Sequence, residues 1–303
     1  MRLRRFLSKY GIFVALAAEC ALLALTTSAF LTPGNLTNVL RQNTFTAILA
    51  AGMSFVILTG GIDLSVGSVV ALAGVVCADV LAKGGGVGTA VALGLLVGLG
   101  IGLVNGLAIT KARIPPFIVT LAMMLAVRGG AYKYTDARTI SGLPPSFAAL
   151  SQGLAPVVIM AGVFALAWLV LMRTPFGRHV YAIGGNREAA WLSGIRVDRA
   201  LLAVYALCGL CAGLAGVLVA SRLGAGYPKA GEFYELDAIT AVVVGGTSLF
   251  GGRGSIWRTL AGAFFIGILN NGLNLFQIES YDQLVVRGAV LLLAASLDRW
   301  RSG

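Results

Sequence analysis

At 303 residues, 58% hydrophobic and only 12% charged, the chain has too little polar surface for a water-soluble fold of its length. Its formal charge of +11 falls in short segments between apolar runs, not on one amphipathic face or tail, and this argues against nucleic acid as a partner. Apolar stretches run almost end to end and leave no polar block for a second domain, so one membrane domain over 1–303 is expected.

Splitting at charges, prolines and polar loops predicts about ten spans, near 10–31, 43–59, 66–82, 88–110, 116–134, 154–172, 200–220, 236–250, 256–276 and 283–298. An all-α integral membrane fold follows, because a lipid-exposed backbone must satisfy its own hydrogen bonds. Arg2, Arg4, Arg5 and Lys9 precede the first run as in a signal peptide. That run is long for one and lacks a small-x-small cleavage site, so it reads as an uncleaved first helix. The spans ending at Thr59 and near Phe250 fall short of the about 20 residues of a straight crossing, which marks broken or re-entrant helices. With a cytoplasmic N-terminus, the inside loops collect Lys111, Arg113, Arg173, Arg178, Arg187, Arg196, Arg199, Arg253, Arg258, Arg299 and Arg301, while the outside loops hold Arg41, Lys83, Lys133, Arg138, Arg222 and Lys229. The positive-inside rule then puts both termini and the 173–199 loop in the cytoplasm.

The halves echo each other weakly. Gly60-Gly61 followed by Gly67-Ser68 recurs as Gly245-Gly246 followed by Gly254-Ser255, and GLVNGLAI (102–109) recurs as GILNNGLNL (267–275). Gly-interrupted short segments in corresponding positions point to a transporter with its pathway at the repeat interface; small-residue helix packing is the other source of such a pattern.

Three segments carry polar chemistry. In LTGGIDLSVGS (58–68), Gly60 and Gly61 permit an unwound backbone, and Asp63, Ser65 and Ser68 either cap the following helix or border a pathway or its gate. Within the spans, Asn105, Thr120, Asn271 and Asn274, with Phe117 in the IPPF turn, fit a path for an uncharged polyol; interhelical hydrogen bonding accounts equally for any single Asn. The basic loop 173–199 is expected to protrude into the cytoplasm and ends in NREAAWLSGI, a short helix roughly parallel to the membrane between an Asn186 N-cap and a Gly194 C-cap; an ordinary basic loop binding anionic lipid is the alternative. Cys208 and Cys211 share an apolar helix with no His or acidic neighbour in sequence and read as packing, and no metal site is expected. No G-x-x-x-x-G-K-[ST] loop is present, and the single His179 lies in the basic loop without a catalytic motif.

Four ordered motifs, AGMSFVILTGGIDLSVGS (51–68), GLVNGLAITKARIPPFIVTLAMM (102–124), GRHVYAIGGNREAAWLSGI (177–195) and AITAVVVGGTSLFGGRGS (238–255), resemble the permease subunits of ATP-binding-cassette importers for ribose, xylose, arabinose and related monosaccharides, over nearly the whole chain. The resemblance implies a non-enzymatic, cofactor-free permease in a bacterial inner membrane. It would pair with a second permease, identical or paralogous, contact a cytoplasmic ATP-binding subunit, and receive sugar from a periplasmic binding protein. On this sequence the ATPase-coupling residues would be Arg178, Gly185, Asn186, Ala189, Ala190 and Gly194. Trp191 and Trp257-Arg258 depart from the smaller residues usual there and bear on partner identity. Other cargoes on the same architecture are autoinducer-type furanoses, nucleosides and branched-chain amino acids. An ion-coupled secondary transporter is the rival class.

Overall fold

A computed structural model describes residues 2–302, with side chains from Tyr10 to Ser296 and at Asp298; the side chains of Arg2, Arg4, Arg5, Lys9, Arg299 and Arg301 lie outside the described set. The described chain is helical: α1 (Arg2–Thr26), α2 (Pro33–Leu58), α3 (Val66–Ala82), α4 (Val87–Thr110), α5 (Pro116–Thr135), α6 (Pro145–Ala148), α7 (Ala155–Arg173), α8 (Pro175–Gly185), α9 (Arg187–Leu192), α10 (Val197–Leu223), α11 (Tyr234–Val244), α12 (Ile256–Leu275) and α13 (Ser280–Ser302). Each predicted span lands on one helix. Three of them, α4, α7 and α10, are long and apolar enough to cross a membrane by length and composition, and the Tyr10–Thr26 part of α1 and α3 are shorter apolar helices. Large apolar side chains face outward along them, among them Leu22, Leu96, Leu103, Val158 and Leu166, the inverse of a water-soluble surface.

The centre is α10, packed on α2, α3 and α4. On α4, Gly94, Gly98, Gly102 and Gly106 recur every fourth residue and turn one smooth face to α10. A Cβ at Gly98 would fall against Gly209 O and only 2.7 Å from Gly213 N, and one at Gly102 against Tyr205 O. Backbones this close gain van der Waals contact in lipid, where apolar burial gives no drive for helices to associate. Gly52 does the same for α2, where a Cβ would sit 2.9 Å from Cys211 Cβ. Cys208 and Cys211 are free thiols facing this seam.

The connections 59–65, 111–115, 174–196 and 245–255 gather at one end of the bundle, termed basal here; 27–32, 83–86, 136–154 and 276–279 lie at the distal end. The span expected over 43–59 is not short, since α2 has 26 residues: Thr32 caps it through Asn35 N, and Pro33 occupies its first turn. The shortness expected of the 236–250 span is real. α11 has only 11 residues, about 16 Å of rise, and non-helical chain over 224–233 precedes it. This stretch descends along α3: Gly226 exchanges backbone hydrogen bonds with Ile140 and packs beside Val75, and Gly231 lies against Gly67 and Val70. Arg128 of α5 holds it, donating to the carbonyls of Pro228 (2.9 Å) and Ala230 (2.8 Å).

The double-glycine echo is structural with a shift of one residue, Gly60 matching Gly246 and Gly61 matching Thr247. Gly61 N donates to Val56 O and Gly60 N to Ile57 O; Thr247 N donates to Val242 O and Gly246 N to Val243 O. Both are the same helix stop, with Gly60 at φ +78° and Gly246 at +82° in the left-handed region that only glycine enters freely. The Gly-Ser echo does not extend the match, because Gly67 and Ser68 are already inside α3 while Ser255 is the N-cap of α12. Nor do 102–109 and 267–275 correspond: α4 is the second helix after its glycine pair, and α12 the first.

Candidate functional site

Six expected pathway residues meet at the basal end. Asp63 is 1% exposed, and its Oδ1 accepts from Ser65 N (2.9 Å) and Ser65 Oγ (2.6 Å). Asn105 of α4 donates through Nδ2 to Ser65 Oγ (2.9 Å), and Thr120 of α5 donates to the carbonyls of Ile62 (3.2 Å) and Pro116 (3.0 Å). Gly61 lies so close to Tyr205 of α10 that a Cβ would overlap its hydroxyl. The 59–65 connection is thus clasped by α4, α5 and α10. Asn105 Oδ1 and the Tyr205 hydroxyl are buried beside it with no hydrogen-bond partner. The capping expected of Ser65 and Ser68 is not made. Ser65 forms no side-chain cap, and Ser68 Oγ donates to Met124 O at 2.8 Å, because the first turn of α3 faces α5.

Asn271 and Asn274 lie elsewhere. Asn271 and Asn35 exchange two amide hydrogen bonds (3.0 and 2.8 Å) between α12 and α2, and Asn274 Oδ1 accepts from Gln283 Nε2 (2.9 Å) of α13. Asn35 and Leu58 stand near opposite ends of α2, so this pair is about 35 Å from the Asp63 cluster. Phe117, in the first turn of α5, is 55% exposed at the basal end.

The 173–199 loop folds as two helices. Asn186 Oδ1 accepts from Ala189 N (2.9 Å), and Gly194, at φ +84°, closes α9 while Ile195 N donates to Ala190 O. Ala189 and Gly185 are exposed, Ala190 is buried, and Arg178 points outward from α8. Trp191 and Leu192 stand 66% and 72% exposed on α9. Beside them opens a cleft of about 1010 Å³ between 109–116 and 187–199, lined by Lys111, Arg113, Pro115, Arg187 and Arg196 among others. Two large apolar side chains thus stand uncovered beside a cleft whose lining carries more basic than acidic residues. Among the described residues no cluster of His, Cys, Asp and Glu is able to hold a metal ion.

The family described as branched-chain amino acid transport system / permease component matches residues 35–295. The chain belongs to this family. It is 46% identical to the ribose import permease protein of Bacillus subtilis (98% of this chain, 94% of that protein) and 44% identical to the ribose import permease protein of Escherichia coli K12 (97% and 96%). The D-allose transport system permease protein of E. coli K12 is 40% identical, over 97% of this chain and 92% of that protein. No solved structure gives a significant match. The apolar helices and this membership make the chain a multi-pass membrane permease component.

Features of this permease not foreseen from sequence have local signals. Helix α8 begins at Thr174-Pro175, an N-cap followed by proline at the first helical position, with Thr174 Oγ1 accepting from Gly177 N (3.3 Å). Arg128 was visible as a charge within a span, but not its carbonyl partners 100 residues away. Glu19, in the first run, has both carboxylate oxygens buried without a partner.

Proposed function

We propose that this chain is the permease subunit of an ATP-binding-cassette importer that translocates a monosaccharide. One observation carries the reading: in a chain of this family, a capped and exposed six-residue helix, α9, protrudes from the basal end between helices long enough to cross a membrane. Such a helix suits a cleft on a cytoplasmic ATPase, so that closure of the ATPase can switch the permease between inward- and outward-facing states. Arg178, Gly185, Asn186, Ala189, Ala190 and Gly194 form or flank that contact, and the adjacent basic cleft extends it. The basal end is then cytoplasmic with both termini, in a bacterial inner membrane, and the chain crosses ten times as one domain over 1–303. A second permease, identical or paralogous, completes the pathway, with membrane lipid around it and a periplasmic binding protein delivering cargo. ATP hydrolysis belongs to the separate subunit.

Gly60, Gly61, Asp63, Ser65, Asn105, Phe117 and Thr120 border the cytoplasmic gate. Asn271 and Asn274 brace the opposite end of the path through their bonds to Asn35 and Gln283, without touching cargo. An uncharged cargo fits the electrostatics: Arg128 is committed to two carbonyls, Arg287 to Asp237 at 3.4 Å, and Asp63 to Ser65. A zwitterionic amino acid would need free charges or open helix N-termini along the path. The relatives' printed cargoes, ribose and D-allose, are of the uncharged class.

The test is uptake of labelled pentoses and hexoses by proteoliposomes holding this chain with its ATPase and binding protein. ATP-dependent, ionophore-insensitive uptake is expected. Uptake that ignores ATP and collapses with an ion gradient would replace this reading with a secondary transporter.

A further inference from the structure

We infer that Gly184, at the end of α8, is the positioning residue through which movement of α9 reaches the gate; the inference rests on α9 being the ATPase contact. Three basal backbones meet there. Gly252 N donates to Leu58 O at 2.9 Å, joining the end of α2 to the 245–255 connection, and Gly184 lies directly on that bond. A Cβ at Gly184 would overlap Leu58 O and Gly252 N and come 2.9 Å from Leu58 C. The neighbouring glycine closes the same junction: a Cβ on Gly251 would sit 2.9 Å from Gly60 N and 3.0 Å from Gly184 Cα. These obstacles are main chain, so no side-chain rotation relieves them.

The junction is tied firmly on both sides. Toward the motor, Ile183 of α8 packs with Ala190 of α9 and with Val197, Ala200 and Leu201 of α10, so α8 and α9 share one small core. Toward the gate, Leu58 and Gly60 lead within a few residues into Asp63 and Ser65, and the Tyr181 hydroxyl of α8 donates to Gly254 O at 3.3 Å. Ser248 Oγ (3.3 Å) and Leu249 N (3.0 Å) anchor the 245–255 connection to Asp298 of α13. Displacing α9 therefore moves α8 as a lever whose tip bears on both double-glycine connections at once. Packed backbones shift between discrete arrangements instead of deforming smoothly, which makes such a contact a transmitter.

The experiment uses the reconstituted importer with Gly184→Ala, and with Gly162→Ala as control, since Gly162 in α7 has open space where a Cβ would go. Co-purified ATPase, ATP hydrolysis and sugar uptake are read together. Gly184→Ala is expected to keep its ATPase and hydrolyse ATP while uptake per ATP falls about tenfold, the scale of a typical coupling energy between sites. Because alanine favours helix more than glycine does, helix propensity works against that loss. If Gly184→Ala does not assemble, Tyr181→Phe decides: it removes only the hydroxyl bond to Gly254 and is expected to lower uptake per ATP about twofold to threefold with the complex intact. Unchanged uptake per ATP in the assembled Gly184→Ala complex, or in Tyr181→Phe where the first fails, overturns the inference, as does an equal loss in Gly162→Ala. Absence of ATP-dependent uptake in the unsubstituted protein overturns instead the importer reading.

Discussion

The Asn35–Asn271 pair separates a strut from a pathway residue, and its energetics follow from the bonds observed. Asn271 makes two hydrogen bonds, both to Asn35, while Asn35 makes these two and a third from Nδ2 to Phe30 O at 2.9 Å. Interhelical hydrogen bonds in lipid average about 0.6 kcal/mol each. On that scale Asn271→Ala costs about 1.2 kcal/mol and Asn35→Ala about 1.8 kcal/mol, and the double variant costs no more than Asn35→Ala because the shared bonds are lost only once. The cycle therefore yields a coupling of about 1.2 kcal/mol, measured by reversible denaturant unfolding in lipid–detergent micelles. Uptake per folded molecule should stay near that of the parent. Additive costs reaching about 3 kcal/mol would refute the pairing. Loss of uptake in Asn271→Ala without loss of stability would assign that amide to the cargo.

Ser65→Ala removes the hydroxyl that joins Asp63 to Asn105, and with both left in a buried cluster it should cost about 1–3 kcal/mol in the same unfolding assay and reduce uptake. Asn186→Ala strips the cap of α9 at a cost of about 1 kcal/mol and should weaken ATPase co-purification, with Asn186→Asp restoring it. Gly98→Leu drives a side chain into α10 and should destabilise the fold by about 3 kcal/mol or more, whereas Gly100→Leu, where a Cβ meets open space, should express and unfold normally. Glu19→Leu replaces a buried carboxyl whose oxygens have no partner with an apolar side chain of similar length, and a rise in unfolding free energy is the expected sign.

What was legible in the sequence was whatever depends on neighbours in the chain. Apolar run lengths located α3, α4, α5, α7, α10, α12 and α13 to within a turn or so, but set α1 eight residues late at its start and five late at its end, and cut α2 short. There the polar stretch Asn35 to Asn43 hid ten helical residues, because Asn35 finds its partner in Asn271 of α12 and Asn38 in Arg222 of α10, pairings that no local pattern reveals. Asn186 and Gly194 marked α9 correctly because caps are local devices. Thr174-Pro175 signalled α8 in the same way, within a loop read as irregular. The candidate site divided along this line. Asp63 and Ser65 are two residues apart and their bond could be anticipated; which of the four span polars joined them depended on helix pairing, and only Asn105 and Thr120 do.

The short element expected near 236–250 follows the same logic. Gly245-Gly246 is a visible breaker, but it merely stops α11. The non-helical chain precedes Tyr234, over residues of ordinary polarity, and the carbonyls of Pro228 and Ala230 are satisfied because Arg128 reaches them from α5. Non-helical chain within a membrane is tolerated only where such partners exist. Arg128 therefore braces the non-helical approach to α11 through Nη1. A nitrogen engaged by two carbonyls is one donor fewer for a carboxylate cargo, in keeping with the sugar-permease relatives.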